Sequence, residues 1–411
     1  MKHLIIGAGA AAISALRTIL KEKPGDSVVM VSHDKEVYSR CMLHKFISGE
    51  RDAESINFVN DDILKSPNVQ WIRGKTITRF DVGTKTVYAG DEKVASGDTV
   101  LIATGSDSVT PPIGELRIAK NAFGLRHLSD ARAIADLAKK VKKIAVIGAG
   151  LVGLDAVCGI LESEGGSGKE ITVIEMATSI LAINLDSHAA KAYQQLFEKK
   201  GVKFHLARRV VNTKSDNGNI KTLELDSGEI IPCDMVIMAV GVRAATAFLE
   251  GSVELTERKA VKVNDYLATN VSGVFAAGDA AGLSGIWPNA QKQGEIAAYN
   301  MTGTEWGYDD RFALKNTVNF FGLFSISLGA INPQSGDQVL VKEDRNNYRK
   351  LILRDGIPVG IILQGEIGGS GFWQYLIKNK IRIDNLGKSP WKVSYADFYG
   401  TMNTGEYKWV V

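Results

Sequence analysis

The stretch from Lys143 to Glu175 constrains this chain more than any other. An apolar segment, Ile144-Ala145-Val146-Ile147, leads into Gly148-Ala149-Gly150-Leu151-Val152-Gly153, a helical run, and a second apolar segment from Ile171 to Ile174 that ends on Glu175. Strand, glycine turn, helix and strand in that order make a βαβ unit whose turn binds a dinucleotide. Gly148 permits the tight turn off the strand, Gly150 lets the backbone approach a pyrophosphate, and Gly153 lets the helix pack close to the sheet. The helix N-terminus, opened by Leu151 and Val152, faces the anion. A carboxylate at Glu175 accepts hydrogen bonds from a ribose 2′-hydroxyl and repels a 2′-phosphate, which favours NAD(H) over NADP(H). The next turn, Met176-Ala177-Thr178-Ser179, offers no arginine to hold a phosphate and supports the same choice.

The N-terminus repeats the pattern. Leu4-Ile5-Ile6 leads into Gly7-Ala8-Gly9-Ala10-Ala11-Ala12, an apolar helix through Leu20, Pro24-Gly25 and a strand from Val28 to Val31. Ala12 takes the third glycine position, which needs only a small residue at the helix–strand contact. Ser32 stands where an acid is usual, so the ribose contact falls to Asp34, Glu36, or Ser32 with the backbone. These same residues, with Lys2 and His3 before the apolar run, could be mistaken for a signal peptide; a second nucleotide-binding turn accounts for them better.

With 411 residues, the chain is expected to hold two to four domains. A net charge of +3 gives no basic footprint for nucleic acid or an anionic membrane. Cys41, Cys158 and Cys233 form no CxxC or zinc-like cluster, so neither a disulfide framework nor a metal site is expected and a reducing cytoplasm fits. No run approaches the roughly 18 apolar residues that span a bilayer.

Two dinucleotide turns in one chain resemble the pyridine-nucleotide-dependent flavoprotein reductases. In that family the first unit binds FAD, an inserted second unit binds NAD(P)H, and a C-terminal domain completes the site. Further stretches carry the resemblance along essentially the whole chain. Leu101-Ile102-Ala103-Thr104-Gly105-Ser106 resembles the exit from the FAD domain, and Ala239-Val240-Gly241-Val242-Arg243 the exit from the NAD domain. Val274-Phe275-Ala276-Ala277-Gly278-Asp279 is similar to the second FAD motif, whose carboxylate binds a ribityl hydroxyl. Trp287-Pro288-Asn289-Ala290-Gln291 opens a helix whose N-terminus in the family lies under the flavin pyrimidine edge. The resemblance implies that Gly7, Gly9, Ala11, Ala12, Ser32, Asp34, Arg40, Lys45, Ile77, Ala103, Thr104, Gly105, Gly278, Asp279 and Gln291 serve FAD. It implies that Gly148, Gly150, Leu151, Val152, Gly153, Glu175 and Gly241 serve NAD. The expected fold is α/β: an FAD domain over residues 1–112 and 246–312, an NAD domain over 113–245, and an α+β interface domain over 313–411. In the last, strands at Lys350–Leu353 and Val359–Leu363 flank a turn at Asp355-Gly356, with a short helix around Phe372–Ile377.

Tyr38-Ser39-Arg40-Cys41-Met42-Leu43-His44-Lys45-Phe46-Ile47-Ser48-Gly49 follows the first βαβ unit, where the fold returns to the flavin ring. Tyr38, Arg40, Leu43 and Lys45 resemble the rubredoxin- and ferredoxin-reductase branch, with Cys41 at its proline position. Cys41, Leu43, Ile47, Ser48 and Gly49 resemble the single-cysteine branch of NADH oxidases, peroxidases and coenzyme A-disulfide reductases. Facing the flavin, Cys41 would be a thiolate, its pKa depressed by the helix start, Arg40 and Lys45; otherwise it is a small packing residue. Cys158 and Cys233 are expected in the core. The ferredoxin-reductase resemblance also implies a pair between Lys45 and Asp155 beside the flavin N5. No CxxxxC follows the first unit, no CxxC lies in the NAD domain and His205 is the last histidine, which excludes dithiol exchange with a C-terminal histidine acid/base.

The implied activity is passage of electrons from NADH through FAD. The acceptor is a small iron–sulfur carrier of rubredoxin or ferredoxin type, or a small oxidant reduced through Cys41. A third reading is a flavin-binding subunit that works inside a larger redox complex. A homodimer through the C-terminal domain follows from the resemblance.

Overall fold

The computed structural model describes residues 1–59, 61–310, 312 and 315–409. Ala313, where the C-terminal domain was expected to begin, lies outside them. Two compact units divide the chain: residues 1–147, 155–170 and 210–313 form the first, and residues 148–154, 171–209 and 314–411 the second.

In the first unit, β1 (Lys2–Ile6) leads through the glycine turn into α1 (Ala10–Glu22) and β2 (Ser27–Ser32). A parallel sheet runs in the order Val274–Ala276, Thr99–Ile102, β1, β2, Val69–Arg73, with Ile5 opposite both Met30 and Leu101. Leu4 and Ile5 are fully buried, as a strand covered on both faces requires. Small residues let α1 approach the helix Trp287–Met301: a Cβ at Gly294 would collide with the Ala11 carbonyl. After β2, a short helix α2 (Leu43–Ser48) ends on Gly49, whose φ of +78° is the left-handed cap that glycine supplies. The strands Ser106–Ser108 and Val242–Ala244, at the two crossover points read from the sequence, pair antiparallel.

The second glycine turn lies between β3 (Lys143–Ile147) and α3 (Leu151–Glu162), which leads on to β4 (Glu170–Glu175). Within the first unit β3 pairs parallel with Met235–Met238. Within the second, β4 pairs parallel with β5 (Lys203–Leu206), Glu175 opposite Leu206. The C-terminal part of the second unit is a five-stranded antiparallel sheet in the order Lys315–Phe320, Leu323–Gly329, Ile357–Gln364, Tyr348–Arg354, Gln338–Glu343. Its hairpin at Asp355 (φ +49°) and Gly356 (φ +75°) has both turn residues left-handed, the geometry that suits the twist of the flanking strands. The helix expected near Phe372–Ile377 spans Ser370–Lys378. Parallel sheets with helices and an antiparallel C-terminal sheet give the α/β class read from the sequence.

Candidate active site

The first glycine turn opens a cleft of about 410 Å³ in the first unit. Gly7 adopts φ +125°, and a Cβ there would collide with the Ala103 carbonyl, so only glycine fits between the two strand ends. Of the residues assigned to FAD from the sequence, Gly7, Gly9, Ala11, Ser32, Asp34, Arg40, Ile77, Ala103, Thr104, Gly105, Gly278 and Asp279 line this cleft together with Cys41. Ala12 is fully buried in the helix contact behind the turn. Lys45 and Gln291 are outside the lining; the buried Gln293 holds the motif instead, its Oε1 accepting the Gly278 N–H at 2.8 Å. Gly241, at φ +112°, accepts the Val109 N–H at 3.0 Å in the crossover ribbon.

The donor set fits a flavin dinucleotide. A glycine turn at a helix start suits the pyrophosphate, and the buried Thr104 hydroxyl in the cleft wall has no hydrogen-bond partner among the described residues. Asp279 accepts from the Ser106 hydroxyl at 2.7 Å and from Arg126 Nη2 at 2.5 Å, while Arg126 Nε donates to the Ser106 carbonyl at 2.9 Å. Arg126 and His127, which the sequence analysis did not assign to a site, also line the cleft; a basic pair in the connection after the Ser106 strand was the available signal.

At the other end of the cleft the three ribose candidates separate. The Ser32 hydroxyl donates to the Asp34 carbonyl at 2.7 Å and accepts from Trp71 Nε1 at 2.8 Å. Glu36 pairs with Arg132 at 2.9 Å on the surface. Asp34 is the carboxylate that lines the cleft, accepting from Arg40 Nη2 at 2.7 Å and from the Tyr38 hydroxyl at 3.0 Å, with His127 Nδ1 at 3.7 Å. Burial pushes its pKa up, but His127, Arg40 and Tyr38 together hold it below the usual carboxylate range. His127 lies between Asp107 and Asp34, and these two carboxylates raise its pKa to about 9.

The Cys41 stretch corrects two expectations. Asp155, Cys158, Gly159 and Glu162 share one face of α3 at helical spacing, and a Cβ at Gly159 would sit 2.6 Å from the His44 carbonyl oxygen, so this glycine lets α2 and α3 meet backbone to backbone. The expected Lys45–Asp155 pair is not formed. Lys45 Nζ instead donates to Glu50 Oε2 at 2.6 Å and Glu162 Oε2 at 3.4 Å, because Lys45 meets α3 about two turns beyond Asp155, and His44 Nδ1 is the group near Asp155, at 3.9 Å. Burial pushes the Asp155 carboxyl up to about 7, against the pull of the Lys45 charge; 31% of its side chain stays exposed, so solvent moderates that push. The second correction concerns the thiol. Cys41 opens onto the cleft, yet its pKa is raised rather than depressed, first by desolvation and then by the Asp155 charge, which outweigh Arg126 and Arg40. Cys158 and Cys233 are buried, and burial pushes each thiol up to about 12, as core cysteines.

In the second glycine turn Gly148 takes φ +105°, and its N–H donates to the Ile174 carbonyl at 2.8 Å. A Cβ at Gly150 would meet no heavy atom within 4 Å, so the turn is open on the side a pyrophosphate approaches. Gly153 is buried in the first turn of α3, where Val152 is 42% exposed. Glu175 Oε2 accepts the Ala149 N–H at 2.7 Å and Oε1 the Ala177 N–H at 2.8 Å, which fixes the carboxylate beside the turn with lone pairs left over. An arginine does stand near the tip of β4 after all, brought there by β5: the Arg208 N–H donates to the Glu175 carbonyl at 3.0 Å.

Residues 1–294 match the family model described as pyridine nucleotide-disulphide oxidoreductase, and residues 315–381 match the rubredoxin NAD+ reductase C-terminal domain. The chain belongs to the pyridine nucleotide-disulphide oxidoreductase family and is by class an NAD(P)H-dependent flavoprotein oxidoreductase. An NAD(P)H nitrite reductase of Bacillus subtilis is 27% identical, over 94% of this chain and 48% of its own length. The chain thus spans about half the length of that relative. The epsilon subunit of NADH-dependent phenylglyoxylate dehydrogenase from Aromatoleum evansii is also 27% identical, over 94% of this chain and 93% of its own. Among solved structures, NADH:rubredoxin oxidoreductase from Clostridium acetobutylicum shares the fold with a TM-score of 0.77 at 23% identity, covering 94% of this chain and 97% of that one.

Proposed function

We propose that this chain oxidises NADH through bound FAD and passes the electrons to a small iron–sulfur carrier of rubredoxin or ferredoxin type. The match of residues 315–381 to the rubredoxin NAD+ reductase C-terminal domain carries this reading. The raised pKa of Cys41 supports it, since a protonated thiol is a poor nucleophile toward a disulfide or peroxide. FAD, when bound, supplies the redox chemistry. The chain's own residues hold and orient the cofactors. The Gly7–Ala12 turn takes the FAD pyrophosphate, Asp279 a ribityl hydroxyl and Asp34 the adenosine ribose, while Arg126 balances the charge beside Asp279. Glu175 takes the NADH ribose from the second glycine turn. Lys45 braces α2 on α3 through Glu162, and Asp155 sets the charge beside Cys41.

A second reading is a flavin-bearing subunit that feeds electrons into a larger complex, favoured by the near full-length match to a dehydrogenase epsilon subunit. Among the described residues no helix is long and apolar enough to cross a membrane and the three cysteines are unpaired; we place the protein in a reducing cytoplasm.

Anaerobic turnover with NADH and a rubredoxin tests the proposal. Cys41→Ser should keep most of that turnover and of dye reduction. Loss of turnover in this variant would transfer the function to a Cys41-dependent reduction of a disulfide, persulfide, peroxide or oxygen, and poor dye reduction by the unmodified chain alone would favour the subunit reading.

A further inference from the structure

Specificity for the pyridine nucleotide rests on what stands around the ribose 2′ position. The turn after β4 carries no arginine, yet the turn after β5 is laid directly against it. Two backbone hydrogen bonds zip the turns together: the Ala207 N–H donates to the Ala177 carbonyl at 2.9 Å and the Arg208 N–H to the Glu175 carbonyl at 3.0 Å. Ala207 adopts φ +51°, uncommon for a residue with a side chain, and this left-handed step turns the chain so that Arg208 comes beside Glu175. The Arg208 side chain is exposed. Its Nη1 donates to the Ala207 carbonyl at 3.0 Å, and among the described residues no carboxylate pairs with the guanidinium. Its other N–H groups remain free for an anion, in the planar fork that matches phosphate.

We infer that Arg208 is a 2′-phosphate contact that lets this site accept NADPH alongside NADH. Glu175 holds the 2′-hydroxyl of NADH. When a phosphate stands there instead, the Glu175 charge opposes it and the Arg208 charge offsets the repulsion from the neighbouring strand. The cationic group arrives through β-strand pairing between residues 33 positions apart, counting Glu175 to Arg208, so inspection of the turn after β4 alone does not find it. The inference rests on the reading of the second glycine turn as the pyridine nucleotide site.

The test uses the FAD-loaded enzyme and two fragments, adenosine 2′,5′-bisphosphate and 5′-AMP, with binding followed by calorimetry. Arg208→Ala should weaken the bisphosphate about tenfold and 5′-AMP less than about twofold, and Arg208→Lys should recover part of the loss, because lysine keeps the charge without the fork. In steady-state assays, the ratio of the NADPH to the NADH specificity constant should fall about tenfold in Arg208→Ala. Equal weakening of both fragments, or a wild-type enzyme that binds 5′-AMP but not the bisphosphate, overturns the assignment of Arg208 alone. Binding of neither fragment by the wild-type enzyme overturns the nucleotide site itself, and the role of Arg208 with it.

Discussion

His44 Nδ1 lies 3.9 Å from Asp155 Oδ1, about two turns of α3 before the ion pair that Lys45 makes with Glu162. The charge beside Cys41 is therefore that of Asp155 with a histidine near it, and burial lowers the His44 pKa so that the ring favours its neutral form. Above the Asp155 pKa of about 7, this carboxylate opposes formation of the Cys41 thiolate. Arg40, Arg126 and Asp279 also act on the thiol, and Lys45, Cys158 and Glu162 surround Asp155 and His44. Asp155→Asn should lower the apparent pKa of Cys41 and raise its alkylation rate at pH 8 several-fold, because it removes a neighbouring negative charge. The pH profile of iodoacetamide labelling, read by peptide mass spectrometry, checks this; superimposable profiles for the two proteins would remove Asp155 from control of the thiol.

Gly159 keeps α2 and α3 at backbone contact. A methyl group there would stand 2.6 Å from the His44 carbonyl oxygen and 3.2 Å from Ile47 Cβ, so Gly159→Ala must push the helices apart. Helix propensity favours alanine by roughly 1 kcal/mol, whereas overpacking costs about 1–3 kcal/mol, so the net change should be a modest loss of stability. The sharper signature is local: iodoacetamide should reach Cys41 faster in Gly159→Ala even where the melting temperature moves little. Unchanged labelling and an equal or higher melting temperature would show that the helices absorb the methyl group.

Both glycine turns were legible because backbone geometry dictates their residues. Gly7 and Gly148 sit at positive φ, and Gly7 abuts a carbonyl that excludes any Cβ. Glu175 and Asp279 were legible from their places in the two motifs, and Asp279 lines the cleft. Contacts set by helix rotation or strand pairing were not legible. Whether Lys45 or His44 reaches Asp155 depends on how α2 rolls on α3, which a single residue's spacing does not encode. Arg126 and His127 enter the cleft from a crossover 119 and 120 positions after Gly7 (126 − 7 and 127 − 7), and Arg208 reaches Glu175 through a parallel strand pair. The direction of the Cys41 shift depended on desolvation and on the Asp155 charge, whereas the sequence showed only the cations Arg40 and Lys45 near it.

His127 provides a pH signature distinct from that of the carboxylates. Asp107, at 3.0 Å from Nε2, and Asp34, at 3.7 Å from Nδ1, raise its pKa to about 9, against the opposing charge of Arg40, with His33 edge-on at 5.9 Å. The folded protein thus keeps a proton that the unfolded chain, near pH 6.5, gives up. The resulting stability is full below about pH 6.5 and is lost as the pH rises through about 9, with a size on the order of 1–3 kcal/mol. His127→Gln should melt below the wild type at pH 6.5 and approach it at pH 9.5. A gap of constant size across that range would show that His127 is held neutral.

On the proposed function, Glu175 sets which nucleotide the second turn prefers. Its carboxylate is held by the Ala149 and Ala177 N–H groups, so it is already placed before a ribose arrives and loses little freedom on accepting the 2′-hydroxyl. Glu175→Ala removes that acceptor and also the charge that opposes a 2′-phosphate, leaving the Arg208 guanidinium as the charged group beside the ribose. A hydrogen bond to a charged acceptor contributes about 1.5–3 kcal/mol, so NADH should lose on the order of tenfold or more in specificity constant. NADPH should lose less or gain, and the NADPH to NADH ratio should rise at least tenfold, by about 1.4 kcal/mol. Steady-state dye reduction with each nucleotide, at fixed ionic strength, measures that ratio. A ratio that stays constant while both specificity constants fall would mean that Glu175 only buttresses the glycine turn through Ala149, and that discrimination at the 2′ position lies with another group.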